Sequence, residues 1–565
     1  MQYLPGCIAL SSSPASANLD KDRSPLSGWL WLLALCAAYL LPGIIGHDPW
    51  KPDEGYVFGS IEEMMRSGDW IVPHVGGEPF MEKPPLFHFV AVLTASLASP
   101  WLPAHDGARM AAVVFMALTL AGVAVASHLA WGAGHGRIAV LLSLSCIGLL
   151  DPAHMILPDL PQLAGAALAL AGLCAQARGR RWSGLLFGTG AGISFLGKGL
   201  LVPGILGMTV IVLLLGFKSW RNAGMLRFLL HALIGSAPWL LVWPTALYLR
   251  SPELFGQWFW DNNIGRFLGY SVSYLGAANE PGLFWRSIPW FLFPAWLFAA
   301  MALKVVGRDS LNQPAMQIGG VFLVVAALVL SQSATLRTVY LLPLIPAVAL
   351  IGSRVTSSAS PWFDRGLTVF GIVIAIAALI FFWSVWVTLL TEGTAPAWAS
   401  RLQKWLPLTY PLPVHPWAIV AASLLSLFAV ATIATGAGKS GAGLRTWVAA
   451  LALAWGLLAT LWLPWIDAAK SYRQVFASLA AAMPRQDACV ASRSLGESER
   501  AMLDYFIGLQ TRREEVAGDV GCHLLLVQSR GGKISGVGEP WSPLWSGARP
   551  GDSNESFQLY ARPPG

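Results

Sequence analysis

Charge is scarce in this chain. Only 12% of its 565 residues are Asp, Glu, Lys or Arg, against 55% that are hydrophobic, whereas a soluble domain carries roughly 25% charged residues. That shortage excludes an ordinary water-soluble enzyme. Long polar segments are also lacking. Apolar runs near the length of a bilayer crossing recur from residue 28 to residue 466, which marks a polytopic α-helical membrane protein. The six cysteines, Cys7, Cys36, Cys146, Cys174, Cys489 and Cys522, contain no CxxC pair, which excludes zinc-ribbon and thioredoxin-type motifs. There is no P-loop and no dinucleotide-binding fingerprint. The net charge of +7 is scattered through short loops rather than gathered on one face, which argues against nucleic acid as a partner.

What the chain does have is aromatic and basic punctuation. Its 27 Trp fit belts at the two membrane surfaces. Lys and Arg gather in alternate loops, among them Arg178, Arg180 and Arg181, then Lys218, Arg221 and Arg227. By the positive-inside rule those loops and the N-terminus face the cytoplasm. The loops that hold most acids, 47–83, the turn near Asp159, 250–283 and 391–415, face outward. This alternation predicts thirteen spans, over 28–46, 108–131, 138–156, 160–177, 183–198, 200–217, 228–249, 284–303, 317–333, 337–353, 366–390, 417–436 and 446–466, and an outer C-terminus. The run 28–46 has the basic flank Lys21 and Arg23 but no clear small-residue cleavage site after it, so it reads as an uncleaved first span. The run 86–100 is short and bracketed by Pro, and counting it as a span would invert every later loop. It is expected to lie as an interfacial helix on the outer face. Residues 54–65 read as a second such helix, with Val57, Phe58, Ile61, Met64 and Met65 on one face.

Three regions follow. Residues 1–27 read as a disordered cytoplasmic start. Residues 28–466 read as the transmembrane domain, its first outer loop at 47–107 forming a structured platform. Residues 467–565 read as a small α/β domain outside the membrane. In the tail, "YRQVFASLAAAMP" and "SERAMLDYFIG" predict helices, and "DACVAS", "CHLLLVQS" and "SFQLYAR" predict strands. Cys489 and Cys522 are the only cysteines of this polar tail. They form a disulfide if the tail is outside, or stay as two buried thiols on strands.

The polar residues of interest converge on the outer side. They are Asp53 and Glu54, Glu82 and Lys83, Asp159, Lys198, Asp261 and Arg266, and Arg337 with Tyr340. Charged groups at membrane depth are expensive and usually functional, and acids beside several cations suit an anionic substrate attacked by a nucleophile. Each residue also has a purely structural reading. Asp53 and Asp159 stand where helix N-caps would, and Glu54 reads as a first-turn helix acid. Glu82 and Lys83 could pair with each other, Lys198 and Arg337 could snorkel to the headgroups, and Arg266 could anchor on aromatic rings.

The stretch "WKPDEGYVFGSIEEMMRSGDWIVPHVGGEPFMEKPPL" resembles the first outer loop of the bacterial aminoarabinose transferase family, lipid A modifying glycosyltransferases related to protein O-mannosyltransferases. The family's acid pair after Trp-x-Pro, its Ser-Gly-Asp-Trp and its Glu-Lys-Pro-Pro-Leu are all present, at Asp53–Glu54, Ser67–Trp70 and Glu82–Leu86. "LPDLP", "FLGKG" and "RTVYLLPLIPAVAL" resemble later family segments. The resemblance covers about residues 28–350, and the tail matches only in architecture. It implies the fold of C-type glycosyltransferases and inverting transfer of aminoarabinose or a related sugar from a polyprenyl-phosphate donor to a lipid A phosphate. It implies catalytic parts for Asp53, Asp159 and Glu54, and donor-phosphate contacts from Lys83, Arg266, Arg337 and Tyr340. No nucleotide-sugar machinery competes with this, since the one Asp-x-Asp, Asp20 to Asp22, lies in the cytoplasmic start. For a divalent metal the resemblance offers Glu82 and Asp261, but the family's usual histidine near Arg266 is missing, as no His occurs between residues 250 and 290. A monomer in contact with membrane lipids is expected. Two alternatives stand beside this reading. One is a transferase of the same superfamily that glycosylates protein or another envelope glycan. The other is a transporter or lipid flippase, which would place its polar groups near the bilayer midplane rather than at one face.

Overall fold

The structure, a computed structural model, describes residues 25–275, 280, 282–355, 361–404, 406–408, 415–439, 441–484, 489–518, 521–531, 537–552 and 554–562. Most of the expected cytoplasmic start, residues 1–24, therefore lies outside the described residues. Seven described helices are long and apolar enough to cross a membrane, or nine if each of two sharply bent pairs is one span. Several match the runs read from hydropathy, among them Leu160–Ala177, Pro314–Ser331, Pro361–Glu392 and Pro416–Gly436.

Other expected spans are shorter or broken, and the breaks sit at proline and glycine. The first helix, Pro25–Leu40, stops before Pro42 and Gly43 instead of running to residue 46. The run 138–156 is His135–Ser145 bent by 72° into Ile147–His154, and 284–303 is Leu283–Phe291 bent by 83° into Ala295–Val306. Pro289 and Pro294 accompany the second bend, as expected where the ring removes a donor and blocks the preceding turn. The run 337–353 divides around Pro343 into Thr338–Leu341 and Leu344–Gly352. The run 446–466 is Ala442–Leu461 followed by Leu463–Lys470.

The first long loop, expected on the outer side, is ordered. Its mouth helix, Asp53–Ser67, ends on Gly68 with φ +71°, the left-handed stop that glycine supplies most cheaply. A two-stranded hairpin follows, β1 (His74–Val75) against β2 (Glu78–Pro79). Then comes the apolar helix Leu86–Ala98, packed so closely on Ala104–Trp131 that a Cβ at Gly107 would lie 2.7 Å from the Ala95 Cα.

The tail holds a five-stranded sheet of β3 (Val490–Arg493), β4 (Arg512–Arg513), β5 (Leu524–Arg530), β6 (Ser542–Gly547) and β7 (Glu555–Ala561). Their order is β4-β3-β5-β7-β6, parallel at β4/β3 and β3/β5 and antiparallel beyond. The helices Arg473–Ala482 and Glu497–Ile507 stand where the sequence predicts them. Cys489 and Cys522, just ahead of the paired strands β3 and β5, are joined as a disulfide with Cα atoms 5.1 Å apart.

This tail lies on the first long loop. Phe58 and Ile61 of the mouth helix share one buried core with Phe476, Met502, Leu503 and Phe557 of the tail. Ion pairs surround that core: Asp48 with Arg473 (2.9 Å from Nε), Lys51 with Glu555 (2.9 Å), Arg66 with Asp504 (2.8 Å) and Glu78 with both Arg500 (3.0 Å) and Arg513 (3.1 Å). The mouth helix presents Gly59 to the tail helix Glu497–Ile507. A Cβ there would fall 2.4 Å from the Ala501 Cβ, closer than two carbons approach. Gly59→Ala should therefore cost about 1–3 kcal/mol. Ala501→Gly in the same chain should restore part of it, less about 1 kcal/mol for glycine inside a helix. Thermal unfolding of the two single variants and the double variant in detergent checks this; a double variant no more stable than Gly59→Ala would contradict the contact.

Candidate functional site

Antiparallel packing of two helices makes the first half of the site. Leu160–Ala177 and Ser183–Lys198 are joined by a short turn and packed through bare backbone: a Cβ at Gly165 would lie 2.3 Å from the Gly190 carbonyl oxygen. The start of one helix thus meets the end of the other. Asp159, 2% exposed, forms an ion pair with Lys198. The Asp159 side chain makes no hydrogen bond to the helix it precedes, so the capping reading does not describe it. Lys198 does not reach for headgroups either; its Nζ sits 3.7 Å from the centroid of the Tyr340 ring.

The mouth helix brings the second half. Asp53 is its first residue, and the cap position falls to Pro52, with no side-chain cap. The Asp53 carboxylate instead receives both ends of the Arg337 guanidinium (2.6 and 3.1 Å) and the Tyr56 hydroxyl (3.2 Å). Burial alone would raise its pKa, but the Arg337 hydrogen bonds and the Lys83 charge outweigh that and hold the carboxyl below its ordinary value. Lys83 donates to the Tyr56 hydroxyl at 2.7 Å and lies 3.8 Å from Glu82. Lys83 is expected on an exposed loop, yet it is 6% exposed, held against Tyr56 of the mouth helix. Burial would lower its pKa, but Tyr56, Glu82, Asp159 and Asp53 together push it well up. The ammonium stays charged. Glu82 in turn holds Arg266 at 3.0 Å, which replaces the aromatic anchoring expected of that arginine. Arg266 follows directly on a π-helix, Gln257–Gly265, that includes Asp261; π-turns are frequent at functional sites.

Glu54 is placed differently. It is fully buried and accepts from Arg109 Nε (2.9 Å), the Ile156 amide (2.9 Å) and the Trp50 amide (3.1 Å). Arg109 also reaches Asp106 (2.9 Å) and the carbonyls of Ile44 and His47 (3.1 and 3.3 Å). Sequence reasoning missed both Arg109 and Tyr56. A signal for the first was present, since a lone Arg at the head of an apolar run needs a carboxylate.

The carboxylates do not make a metal site. Among the described residues no three His, Cys, Asp or Glu side chains converge, and Glu82 is engaged by Arg266 and Lys83. The donor set offered by Glu82 and Asp261 therefore does not fit a divalent ion, and no step below runs through one.

A broken-helix bundle roofed by a small α/β domain is a fold already seen in solved structures. The crystal structures of ArnT from Cupriavidus metallidurans, in the apo state and bound to undecaprenyl phosphate, superpose with TM-scores of 0.65 and 0.64. They cover 95% and 94% of this chain and 98% of that protein, at 16% identity. No family model matches the sequence. Curated relatives do. An undecaprenyl phosphate-alpha-4-amino-4-deoxy-L-arabinose arabinosyl transferase of Pseudomonas fluorescens is 25% identical over 398 residues, 66% of this chain and 65% of its own length. One of Sodalis glossinidius is 29% identical over 300 residues, 49% of this chain and 51% of its own. The chain thus spans about half to two thirds of the length of the curated relatives it matches. The class is a polytopic helical membrane protein with the fold of ArnT. In sequence the chain is similar to the aminoarabinose transferases.

Arg109 and Arg337 should differ sharply in the cost of removal. Arg109→Met leaves Glu54 buried without its counter-charge and should cost about 3–5 kcal/mol of stability. The Arg337 side chain is 47% exposed, and Asp53 keeps Tyr56 and the Lys83 charge, so Arg337→Met should cost no more than about 1 kcal/mol. Denaturant unfolding of both variants checks this; equal losses would contradict the contrast in burial.

Proposed function

We propose that this chain is a membrane glycosyltransferase that moves aminoarabinose or a closely related sugar from a polyprenyl-phosphate donor to a lipid A phosphate at the outer face, with inversion at the sugar. One observation carries the reading. Asp53 and Asp159, more than a hundred residues apart in sequence, are each held by a cation around the buried ammonium of Lys83, in a chain whose relatives are named as arabinosyl transferases of undecaprenyl phosphate-linked aminoarabinose.

The chemistry follows from the charges. An oxygen of the acceptor phosphate attacks the anomeric carbon as the bond from that carbon to the donor phosphate breaks, and the polyprenyl phosphate leaves with the electron pair. The acceptor oxygen is already anionic, so no proton has to be removed from it. The leaving phosphate gains charge, and cations fixed in advance where charge develops stabilise the transition state. Lys83 keeps donors beyond the one it gives Tyr56, and Arg337, Lys198 and Arg266 stand on Asp53, Asp159 and Glu82 in turn; Tyr340 backs Lys198. Asp53 and Asp159 bind the sugar's polar groups, its amine among them. Glu54, sealed from solvent and tied to Arg109 and Ile156, positions the mouth helix against the approach to Asp159 and touches no substrate.

The cluster's place supports the proposed topology. Thirteen spans, with the three regions 1–27, 28–466 and 467–565 and the active site and tail on the periplasmic side of the inner membrane, put the donor's phosphate at headgroup level. A reporter active only outside the membrane, fused after residue 565, should be active; activity of a cytoplasmic reporter there would refute the count.

Lys83 is buried, so its test must keep its volume. Lys83→Met should lower turnover of a polyprenyl-phosphate aminoarabinose by on the order of a hundredfold, as loss of a preorganised donor does. Asp53→Asn and Asp159→Asn should each cost a similar factor. The double variant should lose far less than their product, since the two act as a unit. Near-normal turnover in both Asn variants would reject the site. Mass spectrometry of lipid A from cells with and without the gene tests the acceptor. Unchanged lipid A beside altered protein glycans would favour the protein-glycosylating alternative.

A further inference from the structure

A cavity of about 370 Å³ lies where the tail meets the outer ends of Pro361–Glu392, Pro416–Gly436 and Ala442–Leu461. It shares no lining residue with the cluster around Asp53, Lys83 and Asp159. Arg109 links the two, bonding Asp106 in the cavity wall and Glu54 on the mouth helix. The volume falls in the range of small-molecule sites and suits a lipid headgroup.

Its walls combine indole rings with acids. Trp386, Trp417 and Trp465 line it, and Trp417 is half exposed at the first turn of its helix, the depth at which Trp meets the membrane surface. Of the acids in the wall, Asp48 is engaged by Arg473 and Ser471, and Asp106 by Arg109 and the Gly46 amide. Asp467 is not matched in this way. Its Oδ1 accepts from the Asp48 amide (3.0 Å) and Trp50 Nε1 (2.9 Å), while among the described residues no donor reaches Oδ2 and no cation pairs with the carboxylate. Burial, with Asp48 nearby, pushes its pKa up to about 7, the mark of a carboxylate short of positive charge. Close by, the Arg473 side chain is 55% exposed in spite of its bonds to Asp48.

A carboxylate in need of a cation, set among indole faces, suits an ammonium, which is drawn both to the charge and to the rings. A half-exposed arginine on the same wall suits a phosphate. One zwitterion carries both groups at headgroup spacing, and it comes on acyl chains at this depth. We propose that the cavity binds the headgroup of an aminophospholipid from the outer leaflet, its ammonium against Asp467 and the tryptophans and its phosphate toward Arg473. A lipid bound there would brace Trp50 and Asp48, the chain that leads into the mouth helix.

Native mass spectrometry of the full chain, equilibrated with equal phosphatidylethanolamine and phosphatidylglycerol in detergent, tests this without any transfer assay. The wild type should retain phosphatidylethanolamine over phosphatidylglycerol by about tenfold or more, and phosphatidylethanolamine should raise its melting temperature. Asp467→Asn keeps an oxygen for the Asp48 and Trp50 donors and should lose the preference. Trp417→Ala, altered at a half-exposed position, should weaken it and decides the matter if Asp467→Asn fails to fold. Equal retention of the two lipids, or a preference untouched by either variant, would overturn the proposal. Equal protection by soluble phosphoethanolamine would overturn the assignment to a lipid.

Discussion

The arrangement around the mouth helix hangs from one ion pair. Glu54 and Arg109 are both fully shielded from water, and a pair so placed is stable only if each member's remaining hydrogen-bonding capacity is met. Here it is. Glu54 takes two backbone amides, one from the chain before its own helix and one from the segment leading to Asp159. Arg109 takes carbonyls from the end of the first apolar run. Three stretches of chain far apart in sequence, around Glu54, Arg109 and Ile156, are pinned together at this one pair. Without that pin the mouth helix would have no fixed height above the bundle, and Asp53 would have no fixed distance from Asp159.

Around the pin, charge is sorted by exposure. The inner pairs, Glu54 with Arg109 and Asp159 with Lys198, are sealed or nearly so, whereas Arg337 on Asp53 and Arg473 on Asp48 keep about half their surface in solvent. The sealed pairs hold the architecture. The half-open ones can trade a carboxylate for another anion at modest cost, because water already carries part of the arginine's solvation.

Much of this was legible in the residues, and the failures have physical reasons. Hydropathy located the helices because a bilayer demands long apolar runs, but it could not see the 72° and 83° bends, which arise where proline and local packing break the backbone ladder. The strands β3, β5 and β7 carried enough apolar residues to be read, whereas β4 is two arginines and β6 is a largely exposed edge. Whether Cys489 and Cys522 pair was open in the sequence, because it depends on β3 and β5 being neighbours, a fact of sheet order. The acids of the site were found, since charge is conspicuous in an apolar chain. Their division of labour was not. Asp53 and Glu54 are adjacent letters, yet on a helix they point about 100° apart, one toward Arg337 and the other into the protein. Tyr56 and Arg109 stayed hidden because a tyrosine in an amphipathic helix and a single arginine in a long run are ordinary until something is seen to face them.

The contact between Gly59 and Ala501 has a consequence for how such chains can diversify. With no room for one further carbon between the mouth helix and the tail helix, the tail cannot be exchanged as an independent cassette. A graft from a distant relative would carry its own bulk at the position facing Gly59, and its own charges opposite Asp48, Arg66 and Glu78. Only grafts that bring their matching first loop would seat. The part of the chain that looks most like a detachable module is thus inherited together with the loop that carries the acids, and novelty in one is constrained by the surface of the other.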